Sequence, residues 1–200
     1  TILRLIAGLG LPTRGDVRID GTCVRSPEIH RVRRTLGYVP QDPVLYEQLT
    51  GKEFLDFIQE LYGVGSEARG AIDLKLSPMD LGTAVDAPIR TYSAGMRRKI
   101  ALLAALLVDP SFLVLDEPFT SLDLAGTEVL ESEMRSLRDR GGLVLVATHD
   151  LDLAEKLADR IGILDRGKRL FEGTLEALRS SGEAGVPESL SGRLRSVTSA

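Results

Sequence analysis

The sequence predicts an α/β fold in which a parallel sheet with helical crossovers is joined to a mainly helical segment. Three observations carry this. Phe112 to Leu115 (FLVL) and Leu143 to Ala147 (LVLVA) are short continuous apolar runs, the pattern of strands covered on both faces. Between them, Thr127 to Arg138 has helical periodicity, and a strand–helix–strand alternation makes the two strands parallel. Thr50 to about Leu106 reads as mainly helical, with breaks at Gly63–Gly65 and around Pro78 and Pro88.

The remaining elements follow in order. Leu3, Leu5, Ile6 and Leu9 have the spacing of a helix buried on much of its surface, ended by Gly8, Gly10 and Pro12. Asp16 to Asp20 (DVRID) alternates like a short strand and turns at Gly21. Thr35 to Val39 is a second strand, stopped by Pro40. Thr50 and Glu53 have capping-box spacing, which places a helix start there. Ile161 to Leu164 and Lys168 to Phe171 flank Arg166–Gly167 as a hairpin. From Ser180 onward Ser, Gly and Glu dominate, so the tail is expected to be flexible or weakly packed.

At 43% hydrophobic residues the chain can bury a sizeable core, and a net charge of −4 gives no general attraction to nucleic acid or anionic lipid. The one cysteine, Cys23, cannot form an internal disulfide and suits a reducing compartment. The longest apolar run, Ile100 to Val108, is far below the roughly 20 residues a bilayer needs. No signal peptide is evident, which makes the cytosol the default location. The chain opens on Thr1, directly in a helical pattern, and this start is expected to be a truncation.

The chemistry concentrates at strand ends. Asp116 and Glu117 end a buried strand, so they sit at the carboxyl edge of a sheet, where α/β proteins bind ligands. Successive strand residues point to opposite sides, giving the two acids different tasks. Asp116 is placed to hold Mg²⁺ through water and Glu117 to polarise an attacking water. The same pair also fits a solvated acid pair at a helix N-terminus. His149 lies just past the next strand, where it can contact a terminal phosphate or orient a base, or else cap and pack. Ser93 and Gly95 open a helical, basic stretch whose free N–H groups suit an anion, although an N-cap alone explains them too. Gln41 follows a strand in Val39-Pro40-Gln41-Asp42, and Ser121-Leu122-Asp123 has the form of a helix cap.

In this order, these five elements resemble the ABC ATPase family, from Thr1 to about Gly173. The resemblance implies a P-loop NTPase-type parallel sheet core with a helical signature lobe. It makes residues 1–42 the first part of a RecA-like core and 43–92 the helical lobe. Residues 93–179 become the signature helix with the second part of the core, and 180–200 the tail. Gln41 looks like the Q-loop glutamine, near Mg²⁺ and the γ-phosphate. Tyr92 to Met96 resembles the signature, usually Leu-Ser-Gly-Gly-Gln. Phe112 to Glu117 resembles Walker B with its catalytic glutamate, Ser121 to Asp123 the D-loop, and His149 the switch histidine. Tyr92, Ala94 and Met96 depart from the commonest signature, while Ser93 and Gly95, the positions expected at the γ-phosphate, are kept.

Thr1 to Gly8 resembles the helix after the phosphate-binding loop, whose Gly-rich run and lysine do not occur in these 200 residues. Those groups neutralise the β and γ phosphates. Residues 1–200 alone are therefore expected to bind ATP weakly, and micromolar Mg-ATP affinity by calorimetry would contradict this. The resemblance further implies ATP and Mg²⁺, a second ATPase subunit in a homodimer or pseudo-dimer, and a transmembrane permease subunit, with no nucleic-acid partner. It places the protein on the cytoplasmic face of the membrane. The signature form looks most like ABC-2-type exporters, including drug-efflux systems. Two rival readings are a non-transport ABC ATPase and a nucleotide-incompetent interaction module.

Overall fold

Strand β4 (Phe112–Asp116) is the centre of the architecture because its sequence leaves it no exposed face. Leu113, Val114 and Leu115 are wholly buried, each contributing on the order of 1.5–3 kcal/mol by leaving water. In this computed structural model, residues 2–63, 76 and 78–180 are described, and they fall into two units that divide between Ala147 and Thr148.

In the first unit, β4 lies between β3 (Leu36–Val39) and β5 (Leu143–Ala147), with both pairings parallel. The register sets Val39 opposite Leu115 and Asp116 opposite Ala147. Alternation then sorts the side chains. Leu36, Tyr38, Phe112, Val114, Leu145 and Ala147 face a core built with α1 (Ile2–Ile6) and α2 (Ile29–Arg33). The other face meets the long helix α4 (Ala94–Leu107): a Cβ on Gly37 would lie 3.0 Å from the Ala105 carbonyl and 2.9 Å from Leu113. A glycine in the middle of β3 lets helix and sheet approach that closely. The predicted strand at Asp16–Asp20 is the short β1 (Arg18–Ile19), antiparallel to β2 (Thr22–Cys23).

The helix expected at Thr50 is α3 (Gly51–Tyr62), opened by a complete capping box between Thr50 and Glu53. Two backbone N–H groups thereby gain partners at a terminus that cannot bond them internally. Short 3₁₀ turns at Gly82–Asp86 and Ile89–Thr91 lead into α4. Helix α5 (Leu124–Asp139) returns the chain to β5. One expectation is corrected here. The β5 run was read as covered on both faces, yet Leu143 is exposed and the rest only half-buried. Among the described strands β5 has β4 as its one hydrogen-bonded neighbour, so it is an edge.

The second unit begins at Thr148. Asp150 caps α6 (Leu151–Leu157) by accepting the Leu153 N–H at 3.0 Å. The predicted hairpin is β6 (Arg160–Asp165) against β7 (Lys168–Thr174), turning through Arg166 (φ 44°) and Gly167 (φ 77°), the backbone of a tight two-residue turn. Ile163 and Leu178, the latter on α7 (Leu175–Ser180), form its small core. Of the tail expected from Ser180 on, Ser180 itself closes α7, and the rest, like the break at Gly65, lies outside the described residues. Among those described, no helix is long and apolar enough to cross a membrane.

Candidate functional site

Because β3, β4 and β5 run parallel in register, their carboxyl ends finish side by side. Pro40–Gln41 leaves β3 beside the point where Asp116–Glu117 leaves β4. The Glu117 N–H donates to the Ala147 carbonyl at 2.9 Å and extends the ladder one residue past the strand. There the chain breaks away: Glu117 adopts φ 47°, a left-handed conformation that costs a non-glycine residue about 1–3 kcal/mol. Thr120 N–H donates back to the Glu117 carbonyl at 3.3 Å. Asp116 is half-buried, and its charge is felt by the neighbouring Tyr38. Burial, and then the Asp116 carboxylate, hold the Tyr38 hydroxyl above the usual phenol range.

A second group forms at the start of α4. Ser93 caps the helix, its Oγ accepting the Met96 N–H at 3.2 Å, and the residue itself is exposed. Gly95 lies against the backbone of Ser121, where a Cβ would stand 2.7 Å from the Ser121 carbonyl oxygen. Ser121 is itself left-handed, with φ 68°. Asp123 caps α5 through Gly126 N–H at 2.9 Å and accepts from Lys99 Nζ at 2.7 Å. Those two donors, Lys99 first, hold the Asp123 carboxyl below the ordinary carboxylate range. The expected signature and D-loop residues are thus neighbours in one structure. His149 belongs to the second unit, exposed between β5 and α6.

The two groups share one helix. Arg98 and Lys99, consecutive on α4, are each only 5% exposed. Lys99 reaches Asp123, while Arg98 donates to the carbonyls of Pro40 and Gln41. Sequence reasoning missed both. Their signal was position: they precede Leu102 and Leu103 by four residues, on the stripe that the helix buries. A charge on a buried stripe needs a partner.

The donor set fits Mg²⁺ in one specific way. Asp116, the last residue of β4, and Gln41, two residues past the end of β3, are one carboxylate and one amide at neighbouring strand ends. Among the described residues no group of three or more His, Cys, Asp or Glu makes an all-protein metal cage. A small hard cation that keeps waters and phosphate oxygens in its shell needs only such a partial set.

Next to Gln41, an open groove of about 520 Å³ runs between the Asp42–Leu45 segment and helices α3 and α4. Val44, Leu45, Phe54, Ile58 and Tyr62 give it an apolar lining, and Val44 is 97% exposed. At its margin Tyr46 meets Phe57 edge-on at 5.4 Å. Tyr92, which stands where Leu is commonest in the signature, is buried and donates its hydroxyl to the Ala84 carbonyl at 2.8 Å, tying the α4 entrance to the 3₁₀ turn before it.

The ABC transporter family model matches residues 1–120. A daunorubicin/doxorubicin resistance ATP-binding protein of Streptomyces peucetius is 38% identical over 90% of this chain and 55% of its own length. A Nod factor export ATP-binding protein of Burkholderia orbicola is 35% identical over 90% of this chain and 60% of its own length. The ABC-type transporter ATP-binding protein EcsA of Bacillus subtilis is 33% identical, with 90% and 72% covered. The chain thus spans little more than half the length of the first two. The solved ATP-binding subunit of an ABC transporter superposes with a TM-score of 0.88 at 31% identity, over 98% of this chain and 82% of that one. A dimeric ATP-binding cassette in a post-hydrolysis state with ADP and Pi gives 0.75 at 27% identity, over 86% and 78%.

Proposed function

The chain belongs to the ABC transporter ATP-binding family, and on that premise we propose that it serves as the ATP-hydrolysing part of an exporter. The observation that carries this reading is the shared carboxyl edge of β3 and β4, with Gln41, Asp116 and Glu117 on it and Glu117 held in a left-handed conformation.

Each residue has a task there. Glu117 orients the attacking water and accepts its proton. Asp116 and Gln41 would hold Mg²⁺, which would supply positive charge against the nucleotide phosphates. Ser93, with its oxygen occupied by the Met96 N–H, keeps a hydroxyl proton to donate. At a helix N-terminus that donor suits the γ-phosphate oxygens of a nucleotide held by a second subunit. Gly95 allows close approach, Asp123 fixes the loop between the two groups, and His149, by the family resemblance, takes the part of the switch histidine.

The apolar groove beside Gln41 suits a helix of a membrane permease, and its position links partner movement to Gln41. Through that contact the protein sits peripherally on the cytoplasmic face of the membrane. The exporter assignment draws on the drug-resistance and Nod factor export relatives. The test is phosphate release by the full-length protein with its permease in liposomes. Mg²⁺-dependent ATP hydrolysis that the permease accelerates is expected. Release no faster than without protein would end the proposal.

A further inference from the structure

We propose that Arg98 is a positioning residue that fastens the Gln41 segment to the end of β4, so that α4 sets where Gln41 stands relative to Glu117. The inference rests on the reading of Gln41 and Glu117 as parts of one hydrolytic site.

Three segments meet at one guanidinium. Arg98 Nη1 donates to the Pro40 carbonyl at 2.7 Å, with the Asp116 carbonyl at the long limit of 3.5 Å, and Nη2 donates to the Gln41 carbonyl. The three acceptors are 58, 18 and 57 residues away in sequence, so no local turn brings them together. One comes from the exit of β4 and two from the exit of β3. The residue is 5% exposed, and burial alone disfavours its charge. Burial lowers its pKa, the carboxylates of Asp42, Asp116 and Glu117 offset part of that effect, and a guanidinium stays charged throughout.

Arginine suits this geometry because its flat fork carries donors on both sides and stays charged when buried. A lysine keeps the charge but carries its three donors on one nitrogen at the end of a flexible stem, and it lacks the rigid two-nitrogen fork that reaches the Pro40 and Gln41 carbonyls together. A methionine keeps the stem and loses every donor. The adjacent Lys99 is spent on Asp123 and cannot substitute.

The test compares Arg98→Lys and Arg98→Met in the full-length protein with its permease. For Arg98→Lys the melting temperature stays near that of the parent, while kcat falls about tenfold or more with KM for Mg-ATP within about twofold, as expected for a misplaced catalytic array. Amide exchange across residues 41–46 speeds up by about tenfold in both variants. A kcat within twofold of the parent in Arg98→Lys overturns the inference. So does a rate loss that merely follows the folded fraction, or unchanged exchange at 41–46. If the parent itself hydrolyses no ATP, the proposed function fails, and faster exchange in the variants still establishes the strut.

Discussion

Glu117→Gln in the full-length protein is expected to slow Mg-ATP turnover by about 100-fold or more, the usual worth of a positioned general base. The change preserves size and the left-handed backbone requirement at φ 47°, and removes only the ability to take a proton. A loss of that size corresponds to about 2.7 kcal/mol in the activation barrier. ATP binding should survive, so a nucleotide-held dimer should accumulate and be visible by light scattering during gel filtration. Single-turnover phosphate release gives the rate directly. Turnover equal to the parent's would remove Glu117 from the role of base.

Gly95→Ala should separate stability from activity. A methyl group there would stand 2.7 Å from the Ser121 carbonyl oxygen, nearer than Cβ atoms approach any group, so either the first turn of α4 or the Ser121 backbone must move. Alanine restores about 1 kcal/mol of helix propensity, and overpacking costs about 1–3 kcal/mol. The melting temperature should therefore shift only modestly. Turnover should fall by about tenfold to a hundredfold, because the displaced pieces are the helix start and loop proposed to complete the partner's site. Thermal melting and steady-state hydrolysis on the same preparation check both halves. Full activity would show that the Gly95–Ser121 contact is packing alone.

The legible parts of this chain were those encoded locally. FLVL at 112–115 has the pattern of a covered strand, and it is one. LVLVA at 143–147 has the same appearance but lies at an edge, because coverage depends on which neighbours arrive and not on the run itself. Helix α2 was missed, since IHRVR makes barely one turn and carries more charge than pattern. Asp116 and Glu117 were legible because a buried strand ended on two acids. Gly95 was legible only as part of a helix start, because its need for a bare Cα comes from a carbonyl 26 residues on. Arg98 and Lys99 were legible only as part of a helical, basic stretch, because their acceptors lie on segments far away in sequence. Tyr92, set down as a departure, has its own acceptor at Ala84.

The loop from Glu117 to Ser121 begins and ends on left-handed residues that are not glycine. Conformational strain at two positions so close together makes the loop a reserve of stability the protein leaves undrawn. Glycine at position 121 would relax the backbone at once, at the expense of a less defined loop in the unbound protein. Selection for heat resistance and selection for fast turnover should therefore pull this short stretch in opposite directions. Its side chains would then record which pressure a given lineage has felt.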